Sequence, residues 1–523
     1  MMKVTFKGKH LALAGYLLLV IPLIFFLFGW TKWYVALLGA LFLSAGLLWL
    51  YRHDFMVDSR QITLSIGHVV AIIAILALWV AFSGNCGFSY GLDDIPWRNT
   101  ILADLINYDW PVTYHDGFSL AYYFAIWLIP AAVGKLLGWG AALFTLWLYE
   151  TCLVVTAVFL IGILLDAQGP AVFWMITVVF MLWSGLNLVG SACMEIVGKN
   201  EQGFKLDSNE AYCDVFYYGE ATNFYYRSNF DCISESYNQI AVWLVVPLML
   251  FNRKARSFIY LEVILALFSP WVVIGLIPLM IALGVLQLID EARRRRKEGL
   301  SRPSALAFWT IREVFSPANC CALLVAIPIA LFIFAGLQQT AVGAVMSSDV
   351  GRGFFGILTI SAFNGYNWMG YILFITCEFL VFAVFLFRKF KSDPFFWVVI
   401  ASLMLIPFFW IGNIAGRDFC MDASLGSLCV LMIFVMRYLK DEVMGKPLTL
   451  RNLAFSVVLI VAFMSPVFQL ANDVSVMYAH KSLWVITNDA DVPETLEGLP
   501  AKSIANFVCE DPAHALFFNL FAR

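Results

Sequence analysis

Apolar stretches long enough to cross a bilayer recur from one end of this chain to the other, and polar positions fall between them in blocks. The apolar segments are 11–30, 33–51, 64–83, 118–137, 141–165, 171–190, 239–252, 257–270, 271–290, 319–338, 367–387, 395–413, 421–439 and 452–471. As a helix, about 20 apolar residues span roughly 30 Å of hydrocarbon. The pattern predicts an all-α fold, a polytopic transmembrane helix bundle.

Lys and Arg in short loops mark the cytoplasmic side. Here they cluster at Lys3/Lys7/Lys9, Arg52/Arg60, Arg253/Lys254/Arg256, Arg293 to Arg296 with Lys297, Arg388/Lys389/Lys391 and Lys440/Lys446/Arg451. With these inside, the N-terminus is cytoplasmic, and loops 84–117, 191–238, 339–366 and 414–420 lie outside with the tail 472–523. An even number of crossings must separate two outside loops, yet three apolar stretches lie between 84–117 and 191–238. One of the three is therefore expected to be broken, re-entrant or interfacial, with its backbone covered by protein or water. The expected count is about 13 spans from these segments. Segment 257–290 is read as two, because fusing it would put Arg253, Lys254 and Arg256 outside. The first segment follows Lys3, Lys7 and Lys9, is too long for a cleaved signal and lacks a small-residue exit, so it reads as a retained span. The organisation is a membrane domain, 1–471, and a short external segment, 472–523.

Composition agrees with this class. Of 523 residues, 62% are hydrophobic and 13% charged, where a soluble chain carries roughly 25% charged residues. The net charge of −3 and the lack of a basic face with interleaved aromatics argue against nucleic acid as a partner. No internal repeat is visible, which disfavours the repeat-built transporters.

The first external loop contains GLDDIPWRNTILADLINYDWPVTYHDG, residues 91–117. Asp93 and Asp94 precede Pro96 in the order of an N-cap followed by a first-turn proline. From Ile95 to Trp110, the apolar Trp97, Ile101, Leu102, Leu105 and Tyr108 recur at helical spacing. Arg98, Asn99, Asp104 and Asn107 occupy the other side. This predicts a short amphipathic helix lying in the membrane interface. One cap needs one aspartate; the other carboxylate is available to act as a general base on a hydroxyl.

An acidic start to the first external loop, running into an interfacial helix, resembles the GT-C glycosyltransferase superfamily. SGLNLVG (184–190), YYRSNFDCISESYNQIAVWL (225–244) and LFSPWVVIGLIPL (267–279) resemble segments that follow in bacterial members. The resemblance covers roughly residues 64 to 440, and its motifs are diffuse. A second acidic motif, typical of several GT-C families, has only Asp166 as a candidate. The resemblance implies transfer of a sugar from a polyprenyl-phosphate donor to a glycan, lipid or protein acceptor on the non-cytoplasmic face. It implies Asp93 or Asp94 as catalytic base. The departing phosphate needs a cation, and Arg suits bidentate phosphate binding. The external arginines are Arg417, beside Asp418; Arg352, between glycines; and Arg227, flanked by aromatics. Each also has a plain reading as a salt bridge or headgroup contact. Arg98, His115 and Asp116 complete the candidate substrate-binding residues. The resemblance leaves a divalent cation such as Mg²⁺ or Mn²⁺ optional, and no metal-ligand motif in the sequence demands one.

Glu150, Glu262 and Glu378 lie inside apolar segments, where a charge marks function or pairing. The eleven cysteines form no CxxC pair, so no zinc or redox motif is indicated. Cys86, Cys193, Cys213, Cys232 and Cys509 lie outside, where disulfides persist, and Cys213 with Cys232 is the favoured pair. P-loop and HExxH signatures are missing. No Asn-x-Ser/Thr sequon occurs, which fits a bacterial inner membrane. The rival class is transport, as a lipid-linked saccharide flippase or permease using Glu150 and Glu262. A third is an assembly factor without activity of its own.

Overall fold

The computed structural model describes residues 2–89, 95–196, 224–299, 303–346, 355–357, 365–411, 417–447, 449–479, 495–498, 504 and 507–523. In chain order the helices are α1 (Gly8–Trp30), α2 (Trp33–Leu50), α3 (Ile66–Ala81), α4 (Ile95–Asn107), α5 (Ala125–Leu137), α6 (Trp139–Leu164), α7 (Pro170–Met181), α8 (Asn187–Ile196), α9 (Asn229–Glu235) and α10 (Val242–Asn252). They continue as α11 (Phe258–Ala266), α12 (Pro270–Lys297), α13 (Pro303–Val314), α14 (Pro317–Met346), α15 (Gly365–Ile375), α16 (Val381–Phe390), α17 (Pro394–Leu405), α18 (Arg417–Ala423), α19 (Leu425–Tyr438), α20 (Leu450–Ala479) and α21 (Leu516–Leu520). Three two-stranded sheets join them among the described residues: β1 (Lys3–Lys7) with β2 (Gln61–Ser65), β3 (Ser119–Leu120) with β6 (Val508–Cys509), and β4 (Phe355–Ile357) with β5 (Phe409–Ile411).

Among the described residues, 8 helices are long and apolar enough to cross a membrane, and five shorter apolar helices of 10–17 residues stand beside them. This is an all-α, multi-pass membrane bundle. The segment Phe419–Val443 is the central pillar, 100% buried over its apolar window, whereas Trp33–Phe55 and Leu450–Ser475 are 33% buried and peripheral. Peripheral helices turn large apolar side chains such as Leu41, Leu48 and Ile281 outward, the arrangement that lipid requires in place of a polar surface.

The basic clusters gather at one end of the bundle. β1 pairs in antiparallel register with β2, Lys3 opposite Ser65 and Lys7 opposite Gln61. The Arg60 guanidinium donates to the Phe251 carbonyl at 2.7 Å. Lys254 meets Asp54 at 3.1 Å, Arg256 pairs with the same carboxylate, and Lys440 reaches the Leu165 carbonyl.

The ambiguous region 118–190 contains helices of very different length. α6 has 26 residues, α5 only 13 and α7 only 12. At 1.5 Å per residue, α5 reaches about 20 Å, short of a full crossing. Gly138 separates α5 from α6 with φ 85, a left-handed conformation that suits glycine. The apolar run 257–290 is broken as expected. Pro270 opens α12, and Ser269 Oγ accepts from the Val272 amide at 3.2 Å as its cap. α11 is consequently only 9 residues long. It ends beside the start of α5, where the Ala125 amide donates to the Leu267 carbonyl at 3.1 Å.

The segment beyond α20 forms a strap over the end opposite the basic clusters. β6 pairs with β3, Thr31 bridges to Ala522, and Phe517 is fully buried between Phe26 and Phe332. α20 runs to Ala479, past the boundary expected at 471.

Candidate functional site

α4 forms within the predicted stretch but stops at Asn107, three residues early, with the Trp110 indole donating to the Leu105 carbonyl at 2.8 Å. Its surroundings differ from those of a helix floating in the interface. Ile101, Leu102 and Leu105 are fully buried on one side, and Arg98 and Asp104, expected to face water, are buried too. The strap supplies the reason. Asp104 Oδ2 accepts from the Leu496 amide at 3.0 Å and from the Tyr114 hydroxyl at 2.8 Å. Trp97 stacks on Phe507 at 6.0 Å. Burial pushes the Asp104 carboxyl above the usual range.

Arg98 points inward to the short turn after α9. It donates to Asn238 Oδ1 and lies 3.5 Å from Ser236 Oγ, with its guanidinium 5.7 Å from the Tyr237 ring centroid. Tyr237 is itself held by the Trp127 indole at 2.8 Å. Arg98 and Asp422 both act electrostatically on the half-buried Tyr123, so α4, the chain before α5, and α18 meet around one cluster of polar side chains, termed the polar chamber. Gln239 Nε2 closes the floor by donating to Asp422 Oδ2 at 2.9 Å.

Arg227 lies on the same wall. Ser228 caps α9 by accepting from the Asp231 amide at 3.0 Å. That cap orients Asp231 towards Arg227 at 2.8 Å, and Glu235 follows one turn later at 3.0 Å. The pair is buried, with side chains 5% and 0% exposed. Tyr225 donates to Asp231 Oδ2 at 2.8 Å, and its ring lies 5.3 Å from the Arg227 guanidinium. From α20, Gln469 approaches Asp231 Oδ1 at 3.5 Å and Ser234 Oγ at 3.3 Å. Arg227 is therefore no surface ion pair but half of a buried one, wrapped by the predicted aromatic.

The other predicted residues separate. Asp93, Asp94 and Arg352 lie outside the described residues. Arg417 and Asp418 open α18, the helix that carries Asp422 into the chamber. His115 and Asp116 belong to a surface turn. His115 Nδ1 meets Glu497 at 2.7 Å with the ring 90% exposed, and Asp116 Oδ1 accepts from the Phe118 amide at 3.0 Å. They anchor the strap and cap a turn; the structure does not join them to the chamber.

Asp231, Asp422, Gln239 and Glu497 are the residues that sequence reasoning passed over. Asp231 carried a signal, four residues after Arg227 at helical ion-pair spacing; Glu497 carried none. Among the described residues Cys232 is buried and unpaired; its expected partner Cys213 lies outside the described residues. Glu150 sits in α6 and accepts from Asn85 Nδ2, in the turn after α3, at 3.2 and 3.0 Å, the pairing that a buried acid requires. Among the described residues, no group of three or more His, Cys, Asp or Glu is placed to hold a metal ion. No family model, no curated protein and no solved structure matches the chain.

The strap itself is testable. The Tyr108 hydroxyl, then the His115 amide, hold the Glu497 carboxyl below its usual range. A depressed acid stabilises above its unfolded value and stops doing so as pH falls through the lowered one. The strap is therefore expected to loosen as pH falls below the usual carboxylate range. At neutral pH, Glu497→Gln is expected to speed hydrogen exchange of the Leu496 and His115 amides, leaving the Gln239 amide unchanged. Equal exchange in both proteins would contradict this anchoring.

Proposed function

We propose that this protein is a GT-C-type glycosyltransferase of a bacterial inner membrane, with the N-terminus cytoplasmic and the C-terminal segment outside. It transfers one sugar from a polyprenyl-phosphate donor to a glycan, lipid or protein acceptor on the non-cytoplasmic face. Some 13 spans are counted in this reading; among the described residues, 8 helices are long and apolar enough to cross. The observation that supports it is the cluster of buried polar side chains, Arg98, Asp231, Gln239 and Asp422, that α4, α9 with the turn after it, and α18 bring together at the end remote from the basic clusters.

The chemistry needs a base, a cation and exclusion of water. Asp93 or Asp94 takes the proton of the acceptor hydroxyl as its oxygen forms a bond to the anomeric carbon. The bond from that carbon to the phosphate oxygen breaks, and the lipid phosphate leaves with the electron pair. Arg98, four residues after Asp94, offsets the developing charge from a buried position where such an interaction is strong. Arg417 and Arg352 are the further candidates, and Arg227 keeps the wall rigid through Asp231. The strap excludes water.

The deciding experiment measures lipid-linked sugar turnover in membranes containing wild type, Asp93→Asn or Asp94→Asn at matched expression. One variant is expected to retain donor binding while transfer falls about a hundredfold or more, the size of a lost general base. Normal transfer by both variants would reduce the aspartates to a helix cap and favour a lipid-linked saccharide flippase.

A further inference from the structure

At the basic end, far from the chamber, a recess of about 170 Å³ opens among the ends of four elements. Arg60 precedes β2, Arg253 follows α10, Asp393 precedes α17, and Arg437 sits in the last turn of α19; Leu164 and Phe434 form apolar walls. Three guanidinium groups against one carboxylate give the lining a formal excess of two positive charges (+3 − 1).

The partners of these arginines decide what the recess is for. Arg60 is already bound to Asp58 at 2.6 Å, and its guanidinium lies 4.2 Å from the Phe251 ring centroid. Arg253 lies 5.9 Å from the Phe395 ring, and its backbone holds φ 51, a strained conformation for a long side chain. Among the described residues, neither Arg253 nor Arg437 has an ion pair or a side-chain hydrogen bond. Among the described residues Asp393 forms no ion pair with them; its Oδ1 accepts from the Phe395 amide at 3.0 Å as the cap of α17. Basic residues that only set topology need none of this. In the exposed run on α12, Arg294 and Arg295 meet Glu291 of their own helix at 2.8 and 2.7 Å.

We propose that this recess binds a phosphate group, carried either by an anionic lipid headgroup or by a soluble phosphate. Arginine forks match phosphate oxygens two at a time. Two of the three are laid against aromatic rings, which limits the freedom they lose on binding. With Asp58 opposing Arg60, one positive charge stays unopposed in the recess, and a phosphate monoester or diester neutralises it. Leu164 and Phe434 suit the glycerol of a lipid. The recess lies at the end where anionic headgroups attract basic side chains.

The test uses the full chain in nanodiscs of phosphatidylcholine alone or with phosphatidylglycerol, and reads lipid retained after detergent extraction by native mass spectrometry. Thermal unfolding with added inorganic phosphate is followed in parallel. Wild type is expected to retain phosphatidylglycerol, to be stabilised by phosphate, or both. Arg253→Gln/Arg437→Gln is expected to lower the response more than about tenfold, while the control Arg293→Gln/Arg296→Gln keeps it. Retention without phosphate stabilisation assigns the site to lipid, and the reverse assigns it to a soluble phosphate. Arg437→Lys, which keeps the charge and the fold but loses the fork, is expected to lower the response several-fold. Equal responses in wild type and the double variant, an equal loss in the control, or no response in wild type would overturn the proposal.

Discussion

Arg227→Gln is expected to destabilise the protein by about 3–5 kcal/mol, the cost of leaving one member of a buried ion pair without the other. Asp231 is fully buried and retains the Tyr225 hydroxyl and Gln469 after the change. Neither neutral donor replaces a cation 2.8 Å away. The double variant Arg227→Gln/Asp231→Asn is expected to recover a large part of the loss, because two neutral amides can bond to each other in the same space. Thermal unfolding of the three variants in one detergent measures this. A single variant as stable as wild type would mean that water reaches Asp231 freely and that the chamber wall is not closed.

The second large effect concerns Gly275. A Cβ built there would lie 2.0 Å from the Ala423 carbonyl oxygen and 2.8 Å from its Cα. Those are backbone atoms and cannot rotate away. Gly275→Ala must push α12 off α18, at a cost of roughly 1–3 kcal/mol or more. The displaced segment carries Asp422 next to Ala423, so under the proposed function transfer activity is expected to fall with stability. Gly284 on the same helix is the control: its added Cβ meets nothing nearer than Ala255 Cβ at 3.9 Å. Gly284→Ala is expected to leave both readouts unchanged. If the two substitutions behave alike, close approach at residue 275 is not what positions α18.

The bundle was legible in the sequence because hydrocarbon imposes a simple rule on every spanning segment, and basic residues obey a second one at the ends. The break at Ser269–Pro270 was legible for the same local reason: a cap followed by proline. Lengths were harder. The apolar residues 118–124 read as part of a span but lie outside α5, because Ser119–Leu120 pairs with Val508–Cys509 far along the chain. The polarity of α4 misled for the same reason. Arg98 and Asp104 look like a water-facing stripe until Asn238 on one side and Leu496 on the other are brought to them. Arg227 was found as a cation with an aromatic neighbour. That its charge is already opposed by Asp231 and Glu235 follows from the Ser228 cap, a local signal of the kind sequence reading can use. Asp422 reaches the chamber through the packing of α18 on α12, which no pattern along the chain encodes.

The Leu496–Asp104 bond joins positions 392 residues apart. α4 is made early in synthesis, whereas the strap that covers it follows every long apolar helix among the described residues. The Asp104 carboxylate therefore lacks its Leu496 donor until the last part of the chain is added. A chain interrupted after α20 is expected to carry the bundle with Asp104 uncovered.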